Sequence, residues 1–478
     1  MIMIAPIKTR SLAWWLLRLT ILLLGGYRSL VAEVPPRPNV LFIAIDDLNT
    51  RLGCYGFDHI SSPHIDKLAS EGVRFDRAYC QYPSCGPSRT SLLTGLRPQT
   101  TGMINNRMAM RELAPDAVTL PQLFRKNGYY VARVGKIFHQ RVPADIGESG
   151  ADDPASWDEV VNPRGRDKDE EHLLIDYTPQ LGIADAMAYL KAEGEDGEQT
   201  DGKVADETIR LLERVGDKPF FIAAGFYRPH IPYIAPKKYF DLYDIEETSL
   251  THIPEGYRES VPSAALSSTP DWPNFHTTER EARECILAYD ACVSFVDTQV
   301  GKLLEAVDRL CLRENTIIVL WGDHGYHLGE HGLWRKNSLY EESARAPLIF
   351  RVPGIEPKEP DCPSIVEFLD IYPTVADLAN LTPPTEIEGI SLRPLLENPA
   401  SDWNRPAFIQ TLFVDVPGYS IRTDRWRYVE WGQQGDRGIE LYDQRLDPKE
   451  MSNLALSKDH SEVIESLRKK VRKNWPAQ

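Results

Sequence analysis

Four short apolar segments constrain the fold of this chain more than any other feature of its sequence. The four segments are Asn39–Ile45, Tyr129–Val134, Phe220–Phe226 and Thr316–Trp321. Each has the length and composition of a buried β-strand, and helical patterns such as Ile65–Glu71 and Leu120–Lys126 alternate with them. This alternation is typical of an α/β domain built on a largely parallel sheet.

The longest helix is predicted from about Glu279 to Leu310, where apolar residues recur at steps of three and four. Cys285, Cys292 and Cys311 fall in this stripe, so we interpret them as small buried hydrophobic residues. The chain has seven cysteines, and their spacing includes no C-x-x-C pair and no zinc signature. Because the number is odd, at least one cysteine cannot take part in a disulfide bond within the chain.

The pattern changes after residue 400, where short strands joined by Gly and Asp turns predict a small antiparallel sheet. These strands are Phe408–Phe413, Tyr419–Arg422, Trp426–Trp431 and Ile439–Tyr442, followed by a helix at Ser461–Arg472. We therefore predict a catalytic domain over residues 36–400 and a subdomain over residues 401–478. The acidic stretch Asp145–Gly202 is predicted to be an insertion or a long surface loop, with a weak helix near Ile183–Lys191.

The N-terminus resembles a secretory signal, which we assign to residues 1–32. Lys8 and Arg10 precede an apolar stretch from Leu12 to Gly26, and the segment Ser29 to Ala32 follows, with the small residue Ala32 at the assigned cut. An uncleaved anchor is the alternative, although charges within the apolar stretch argue against a stable membrane span. Either interpretation places the folded part outside the cytoplasm, and the signal predicts a secreted or periplasmic protein. The net charge of −16 argues against attraction to nucleic acid or to acidic membranes.

Ionisable residues follow each of the four predicted strands. They are Asp46 and Asp47, then Lys136 and His139, then Arg228 and His230, and finally Asp323 and His324. Ligands of open α/β sheets bind beyond the carboxyl ends of the strands. A single Asp–Asp pair could equally be a solvated strand end. Four strands that deliver such residues to one edge indicate a functional site.

The carboxylates in this set predict a metal ion. Asp46, Asp47 and Asp323 offer hard oxygen ligands, which favour calcium or magnesium. The imidazole of His324 would also permit manganese or zinc. Three carboxylates this close would repel one another unless a divalent cation lay among them.

The segment from Cys85 to Gly95 reads CGPSRTSLLTG and resembles the signature of the formylglycine-dependent sulfatases. The resemblance extends from about Pro38 to Ala455, and it implies an alkaline-phosphatase-like fold. It also implies that a formylglycine-generating enzyme oxidises Cys85 to the aldehyde. A hydrated aldehyde has one hydroxyl that can attack sulfur and a second that can collapse to expel sulfate. The alternative is a buried structural cysteine before a helix.

The resemblance also implies a role for each matching residue. Asp46, Asp47, Asp323, His324 and the modified Cys85 would hold one calcium ion. Arg89 and Lys136 would stabilise the aldehyde hydrate and neutralise sulfate charge. His139 would be the base that collapses the sulfated intermediate. His230 and Lys336 would bind sulfate oxygens, with His230 as the acid for the leaving alcohol.

The segments Gly135–His139, Arg228–Pro232 and Asp323–Lys336 resemble the iduronate-2-sulfatase branch in particular. Tyr326 departs from that pattern, which has tryptophan there. The resemblance therefore covers the sulfate subsite but does not extend to the sugar subsite. We expect His327 and His331 to hydrogen-bond or pack in loops.

The predicted function is hydrolysis of a sulfate ester on a sugar. The first alternative is a phosphodiester or phosphonate monoester hydrolase of the same fold, because formylglycine and a metal also suit phosphorus chemistry. The second is an inactive protein that binds sulfated glycans.

Overall fold

The computed structural model describes Ile2, residues 37–356 and residues 359–475. The predicted signal segment therefore lies outside the described residues, except for Ile2. Among the residues described, no helix has the length and apolar character needed to cross a membrane.

An eight-stranded sheet forms the centre of the fold, and only Leu348–Arg351 runs antiparallel to its neighbours. In spatial order the strands are Asp361–Glu367, Val73–Tyr79, Leu348–Arg351, Thr316–Gly322, Asn39–Ile45, Phe220–Phe226, Tyr130–Gly135 and Glu159–Val161. The prediction of an α/β domain with a mostly parallel sheet is confirmed. The four strands predicted first are adjacent and occupy the middle of this sheet.

The pairing register places the carboxyl ends of these four strands side by side. Ile45 pairs with Gly322 on one side and with Phe226 on the other, while Gly135 pairs with Gly225. Residues that follow the strands are therefore brought to the same edge of the sheet.

Helices cover both faces of the sheet. The helices of seven or more residues are Pro63–Ser70, Cys85–Thr94, Leu120–Lys126, Thr200–Val215, Glu279–Arg309, Ile371–Leu378 and Ser461–Asn474. The short ones are Pro98–Thr101, Met110–Leu113, Arg166–Asp169, Lys237–Phe240, Tyr257–Ser260, Glu341–Ala344 and Arg393–Glu397. They complete the layered α/β arrangement predicted from the sequence.

The long helix begins with a capping box formed by Thr278 and Glu281 and ends at Arg309. Cys285 and Cys292 are fully buried on its core face, as predicted. Cys311 is exposed, so the prediction of burial is wrong for this residue. The helix has already ended, and the backbone at Cys311 turns with a φ of 56°.

The segment near Ile183–Lys191 forms no helix, so that prediction is wrong. Residues Ala188–Ala192 form a strand between Ile175–Asp176 and Tyr233–Pro236. Ala188 and Tyr189 are buried, and the Tyr189 hydroxyl donates to Glu284 of the long helix at 3.4 Å. Packing against that helix and pairing with neighbouring strands override a weak local helix preference.

The C-terminal strands form a separate antiparallel sheet, as predicted. They are Ala407–Phe413, Val416–Arg422, Trp426–Trp431 and Ile439–Asp443, in this order across the sheet. The helix Ser461–Asn474 packs on it through Ile464, Leu467 and Val471. The domain boundary at residue 400 stays a prediction.

A buried ion network connects this sheet to the rest of the fold. Arg427, which is fully buried, contacts the carboxylates of Glu341 and Glu450. The hydroxyl of Tyr79, at the end of the strand Val73–Tyr79 of the eight-stranded sheet, donates to Glu341 at 2.7 Å. The network therefore links both sheets through charge-assisted hydrogen bonds.

Replacing Arg427 with methionine leaves Glu341 and Glu450 buried without their shared partner. We expect Arg427→Met to lower the free energy of unfolding by about 3–5 kcal/mol, the cost of breaking a buried ion pair. Urea unfolding followed by circular dichroism measures the change. Arg164→Met is the matched control, because its pair with Asp169 is 53% and 61% exposed and should contribute less than about 1 kcal/mol. Equal losses in the two variants would contradict this prediction.

Candidate active site

The side chains predicted from the strand ends meet in one buried cluster. The described residues contain two overlapping groups of side chains that could bind a metal. Within each group, all the ligand atoms lie within 4.8 Å of one another. The groups are Asp46, Asp47, Cys85 and His230, and Asp47, Cys85, Asp323 and His324. All of these residues are at most 7% exposed. The cluster thus unites the predicted metal ligands with the predicted nucleophile.

The geometry around Cys85 fits a divalent cation. Its Sγ atom lies 3.4 Å from Nε2 of His324 and 3.7 Å from Oδ1 of Asp47. Nδ1 of His324 lies 2.8 Å from the carbonyl oxygen of Gly325, which can only accept, so Nδ1 carries a proton. Nε2 is therefore the ring nitrogen available to a metal, and it lies 3.3 Å from Oδ1 of Asp47. Carboxylate oxygens and one imidazole suit calcium, and they also permit other hard divalent ions.

Arg89 is fully buried and donates all its hydrogen bonds inside the cluster. Its Nε and Nη2 atoms donate to Asp323 at 2.8 Å and to Asp46 at 3.0 Å. Its Nη1 atom donates to the carbonyl oxygens of Lys136 and Ile137. Although burial opposes its charge, the two carboxylates raise the pKa of Arg89. This arginine fixes the position of two predicted metal ligands.

Two lysines neutralise the other carboxylate oxygens. Nζ of Lys136 lies 2.6 Å from Oδ2 of Asp46, and Nζ of Lys336 lies 2.6 and 2.7 Å from the two oxygens of Asp47. Burial tends to raise the pKa of Asp46, but Lys136 and the other nearby cations hold it well below its ordinary value. Burial prevails at Asp47 and raises its pKa despite Lys336.

His139 and His230 lie at the outer side of the cluster and are 8% and 7% exposed. Neither ring nitrogen of His139 has a hydrogen-bond partner in the part of the chain that the structure describes. Burial, assisted by Lys136, lowers the pKa of His139 to about 3, so the ring is neutral near pH 7. His230 holds Nδ1 at 2.6 Å from the carbonyl oxygen of Ile231, and its Nε2 lies 3.7 Å from Asp47.

Comparison with known proteins assigns the family. Residues 38–381 match the sulfatase family model, and residues 329–475 match the model of the C-terminal region of N-sulphoglucosamine sulphohydrolase. The chain belongs to the sulfatase family. It is therefore a sulfuric ester hydrolase, and the cluster around Cys85 is its candidate active site.

Individual relatives cover most of the chain. A sulfatase from Formosa agariphila is 32% identical over 92% of this chain and 88% of its own length. The iduronate 2-sulfatase of Mus musculus is 32% identical over 90% of this chain and 93% of its own length. The phosphonate monoester hydrolase of Agrobacterium radiobacter shares the fold, with a TM-score of 0.75, 23% identity and coverage of 91% and 95% of the two chains.

The helix Cys85–Thr94 of this sulfatase begins at the predicted nucleophile and is held by a residue that the sequence analysis missed. The side-chain oxygen of Asn106 accepts from the backbone N–H of Gly86 at 2.8 Å and from the hydroxyl of Ser84 at 3.2 Å. A Cβ atom at Gly86 would lie 2.7 Å from that oxygen and would displace the Asn106 side chain. Asn106 lies in an irregular loop, and no sequence pattern marks it.

Tyr289 is a second missed residue, and it holds the turn that carries Asp47. Asp47 adopts a φ of 61°, which is uncommon for a residue with a side chain. The buried hydroxyl of Tyr289 donates to the carbonyl oxygen of Asp47 and accepts from the N–H of Asn49, both at 2.8 Å. The long helix thus holds both ends of this strained turn.

Tyr326 lies behind the site and does not form a wall toward solvent. It is 1% exposed, stacks on Tyr289 with ring centroids 5.4 Å apart, and its hydroxyl lies 2.9 Å from that of Tyr233. His327 and His331 hydrogen-bond and pack, as predicted. Nε2 of His327 lies 2.7 Å from the hydroxyl of Ser338, and His331 stacks on Tyr340 at 3.9 Å.

Removing the Tyr289 hydroxyl should weaken metal binding by loosening the Asp47 turn. We expect Tyr289→Phe to lower calcium affinity at least fivefold, about 1 kcal/mol, the typical contribution of one or two buried hydrogen bonds. Isothermal titration of the metal-depleted protein measures the affinity directly.

Tyr372→Phe is the control for this prediction. Its buried hydroxyl also donates to a backbone carbonyl, that of Val118 at 3.0 Å, but it lies in a different part of the core. Unchanged calcium affinity in Tyr289→Phe, together with equal stability losses in both variants, would show that Tyr289 only supports the fold.

Proposed function

We propose that this sulfatase removes sulfate from a sugar by means of a formylglycine at position 85 and one calcium ion. The observation that carries the proposal is the position of Cys85. It begins a buried helix within 3.4–3.7 Å of two predicted metal ligands, His324 and Asp47. The modified side chain would therefore stand beside both the metal and the helix N-terminus, which favours an oxyanion.

Calcium would screen the carboxylates and polarise a sulfate oxygen. One hydroxyl of the hydrated aldehyde would give its proton to Asp47, whose Oδ1 lies 3.7 Å from Sγ of Cys85, and would attack sulfur. The bond between sulfur and the ester oxygen would break as the alcohol leaves with a proton from His230. His139 would then take the proton of the second hydroxyl as sulfate is expelled and the aldehyde re-forms. The unpartnered ring nitrogens of His139 support this assignment, because no other described group competes for them.

The charges of the site support an anionic substrate. Asp46, Asp47 and Asp323 are matched by three cations, so the formal charges of these protein groups cancel. The cations are Arg89, Lys136 and Lys336. A bound dication then leaves an excess of two positive charges, and one sulfate monoester neutralises only one of them. The remaining attraction favours a second negative group on the sugar.

A 2-O-sulfated uronic acid, within a glycosaminoglycan or a marine polysaccharide, meets this requirement. The resemblance to iduronate 2-sulfatase supports the same choice. The predicted signal at residues 1–32 supports export of the protein, and such polysaccharides are found outside the cytoplasm. The second candidate is phosphonate monoester hydrolysis, and the structural similarity to the Agrobacterium radiobacter enzyme favours testing it.

Maturation of Cys85 can be tested by mass spectrometry. We expect the peptide that contains Cys85 to carry an aldehyde in place of the thiol in active protein. Cys85→Ala should keep its fold but lose kcat by at least about three orders of magnitude, as when a covalent nucleophile is removed. Cys362→Ala is the control, because this buried cysteine lies on an outer strand of the sheet. Full activity with an intact Cys85 thiol would exclude the proposed nucleophile.

Substrate class can be tested with three compounds of similar size. We expect kcat/KM for a 2-sulfated uronate to exceed that for a neutral sulfated hexose about ten- to a hundredfold, since charged hydrogen bonds contribute about 1.5–3 kcal/mol. A phosphonate monoester should be the poorest substrate. Faster hydrolysis of the neutral sugar would reject the uronate and retain the sulfated sugar. Faster hydrolysis of the phosphonate would favour the second candidate.

A further inference from the structure

The loop that carries His230 has few backbone donors of its own. Pro229 and Pro232 flank the segment, and neither has an N–H to donate. The N–H of His230 donates to the carbonyl oxygen of Tyr227 at 3.1 Å, and Nδ1 of the His230 ring lies 2.6 Å from the carbonyl oxygen of Ile231. Because the ring is tied to the loop backbone in this way, a shift of that backbone also moves Nε2.

Arg228 holds the carbonyl group of His230. It is 1% exposed, and its Nη1 atom donates to the carbonyl oxygen of His230 at 3.1 Å. That carbonyl belongs to the same peptide group as the nitrogen of Ile231, the residue whose own carbonyl oxygen accepts from the His230 ring. The guanidinium therefore fixes the peptide group between the His230 backbone and the acceptor of its ring.

Asp167 anchors the guanidinium of Arg228, and it comes from the segment Asp145–Gly202 that the sequence predicts to be an insertion or a surface loop. Its Oδ2 atom lies 3.3 Å from Nη2 of Arg228, and both side chains are at most 6% exposed. Its Oδ1 atom accepts from the N–H and the hydroxyl of Thr200, both at 2.7 Å. One oxygen thus holds the carboxylate at the start of the helix Thr200–Val215, and the other faces Arg228.

Asp201, the next residue of that helix, holds the start of the loop through backbone groups. Its two oxygens accept from the N–H of Tyr227 at 2.9 Å and from the N–H of Arg228 at 2.8 Å. Asp167 provides the only ion pair of the Arg228 guanidinium in the described part of the chain. Asp201 therefore fixes where the loop begins, whereas Asp167 fixes the direction of the Arg228 side chain.

We propose that Asp167 is a positioning residue for His230 and acts through Arg228. This inference rests on the proposed function, in which His230 gives a proton to the leaving alcohol. The ionised carboxylate keeps the guanidinium beside the His230 carbonyl, and Nε2 then stays 3.7 Å from Asp47. Without that charge, Arg228 is a buried cation with no ion pair, so it turns away from the loop and the ring loses its orientation. A displacement of about 1 Å lowers a catalysed rate by up to about a hundredfold.

The first test asks whether Asp167 acts through His230. Asp167→Asn keeps the shape of the side chain and an acceptor oxygen for Thr200, and it removes the charge that holds Arg228. In the mature, calcium-loaded protein we expect it to lower kcat for a 2-sulfated uronate about fivefold or more, with KM within about twofold. In a His230→Gln background the same substitution should lower kcat less than about twofold, because the group on which it acts is already absent.

The second test varies the leaving group. A sugar alcohol needs a proton as it leaves, whereas 4-nitrophenol is a good leaving group without one. Asp167→Asn should therefore change kcat/KM for 4-nitrophenyl sulfate less than about twofold, against about fivefold or more for the sugar ester. A variant that only loosens the fold would lower both values equally.

Asp153→Asn is the matched control. Asp153 lies in the same segment Asp145–Gly202, its side chain is 2% exposed, and it pairs with Arg111 at 2.6 Å instead of with the His230 loop. Its substitution should lower stability toward urea as much as Asp167→Asn does, and it should leave kcat for both esters within about twofold.

The outcomes separate the positioning role from the proposed function. Equal losses of kcat from Asp167→Asn in the native and His230→Gln backgrounds, equal losses for the two esters, or no loss at all would overturn the positioning role. An unchanged kcat in His230→Gln alone would instead reject the acid assigned in the proposed function. Failure of the native protein to release sulfate from the sugar would reject the proposed substrate class.

Discussion

The active site depends on the ion pairs that Arg89 forms with Asp46 and Asp323. These carboxylates come from two adjacent strand ends, and both pairs are completely shielded from solvent. Arg89 lies four residues after Cys85 on the same helix, so the two side chains share one helix face. The same contacts therefore gather the predicted metal ligands and fix the start of the nucleophile helix above them. Removing this guanidinium would leave the buried carboxylate of Asp323 without its arginine partner and Asp46 with Lys136 alone, at a cost of about 3–5 kcal/mol.

A second constraint acts at Asp47, and it reaches the site from the opposite side of the sheet edge. The positive φ of Asp47 turns its carboxylate toward Cys85 and Lys336, and the hydroxyl of Tyr289 holds that turn at both ends. Tyr289 belongs to the long helix, whose other buried residues pack in the main core. Core packing and metal-site geometry are thus connected through one side chain, since a shift of the helix would move the turn.

The sequence predicts the parts of the site that depend on strand periodicity. Apolar segments fix the central strands, and because parallel strands end together, Asp46, Lys136, His230 and Asp323 had to meet at one edge. Lys336 follows Trp334–Arg335, a two-residue strand that pairs with His327–Leu328, so only its resemblance to a family motif identified it. Asn106 and Tyr289 were missed for a different reason. Each acts through hydrogen bonds to backbone groups, and Tyr289 is 242 residues from its partner Asp47. The strand Ala188–Ala192 likewise depends on partners that are distant in sequence.

In the proposed mechanism the groups close to Cys85 bind a tetrahedral anion, and that requirement is common to sulfate and phosphonate esters. Their side chains are nearly all buried, and the three that we propose to meet the substrate, His139, His230 and Lys336, are 7–9% exposed. Three such groups can orient the ester, but they contact little of the sugar beyond it. Selection among sulfated sugars must therefore depend on surfaces farther from the nucleophile. Such surfaces can vary without disturbing the ion pairs of Arg89, so substrate choice can change while the buried cluster stays constant.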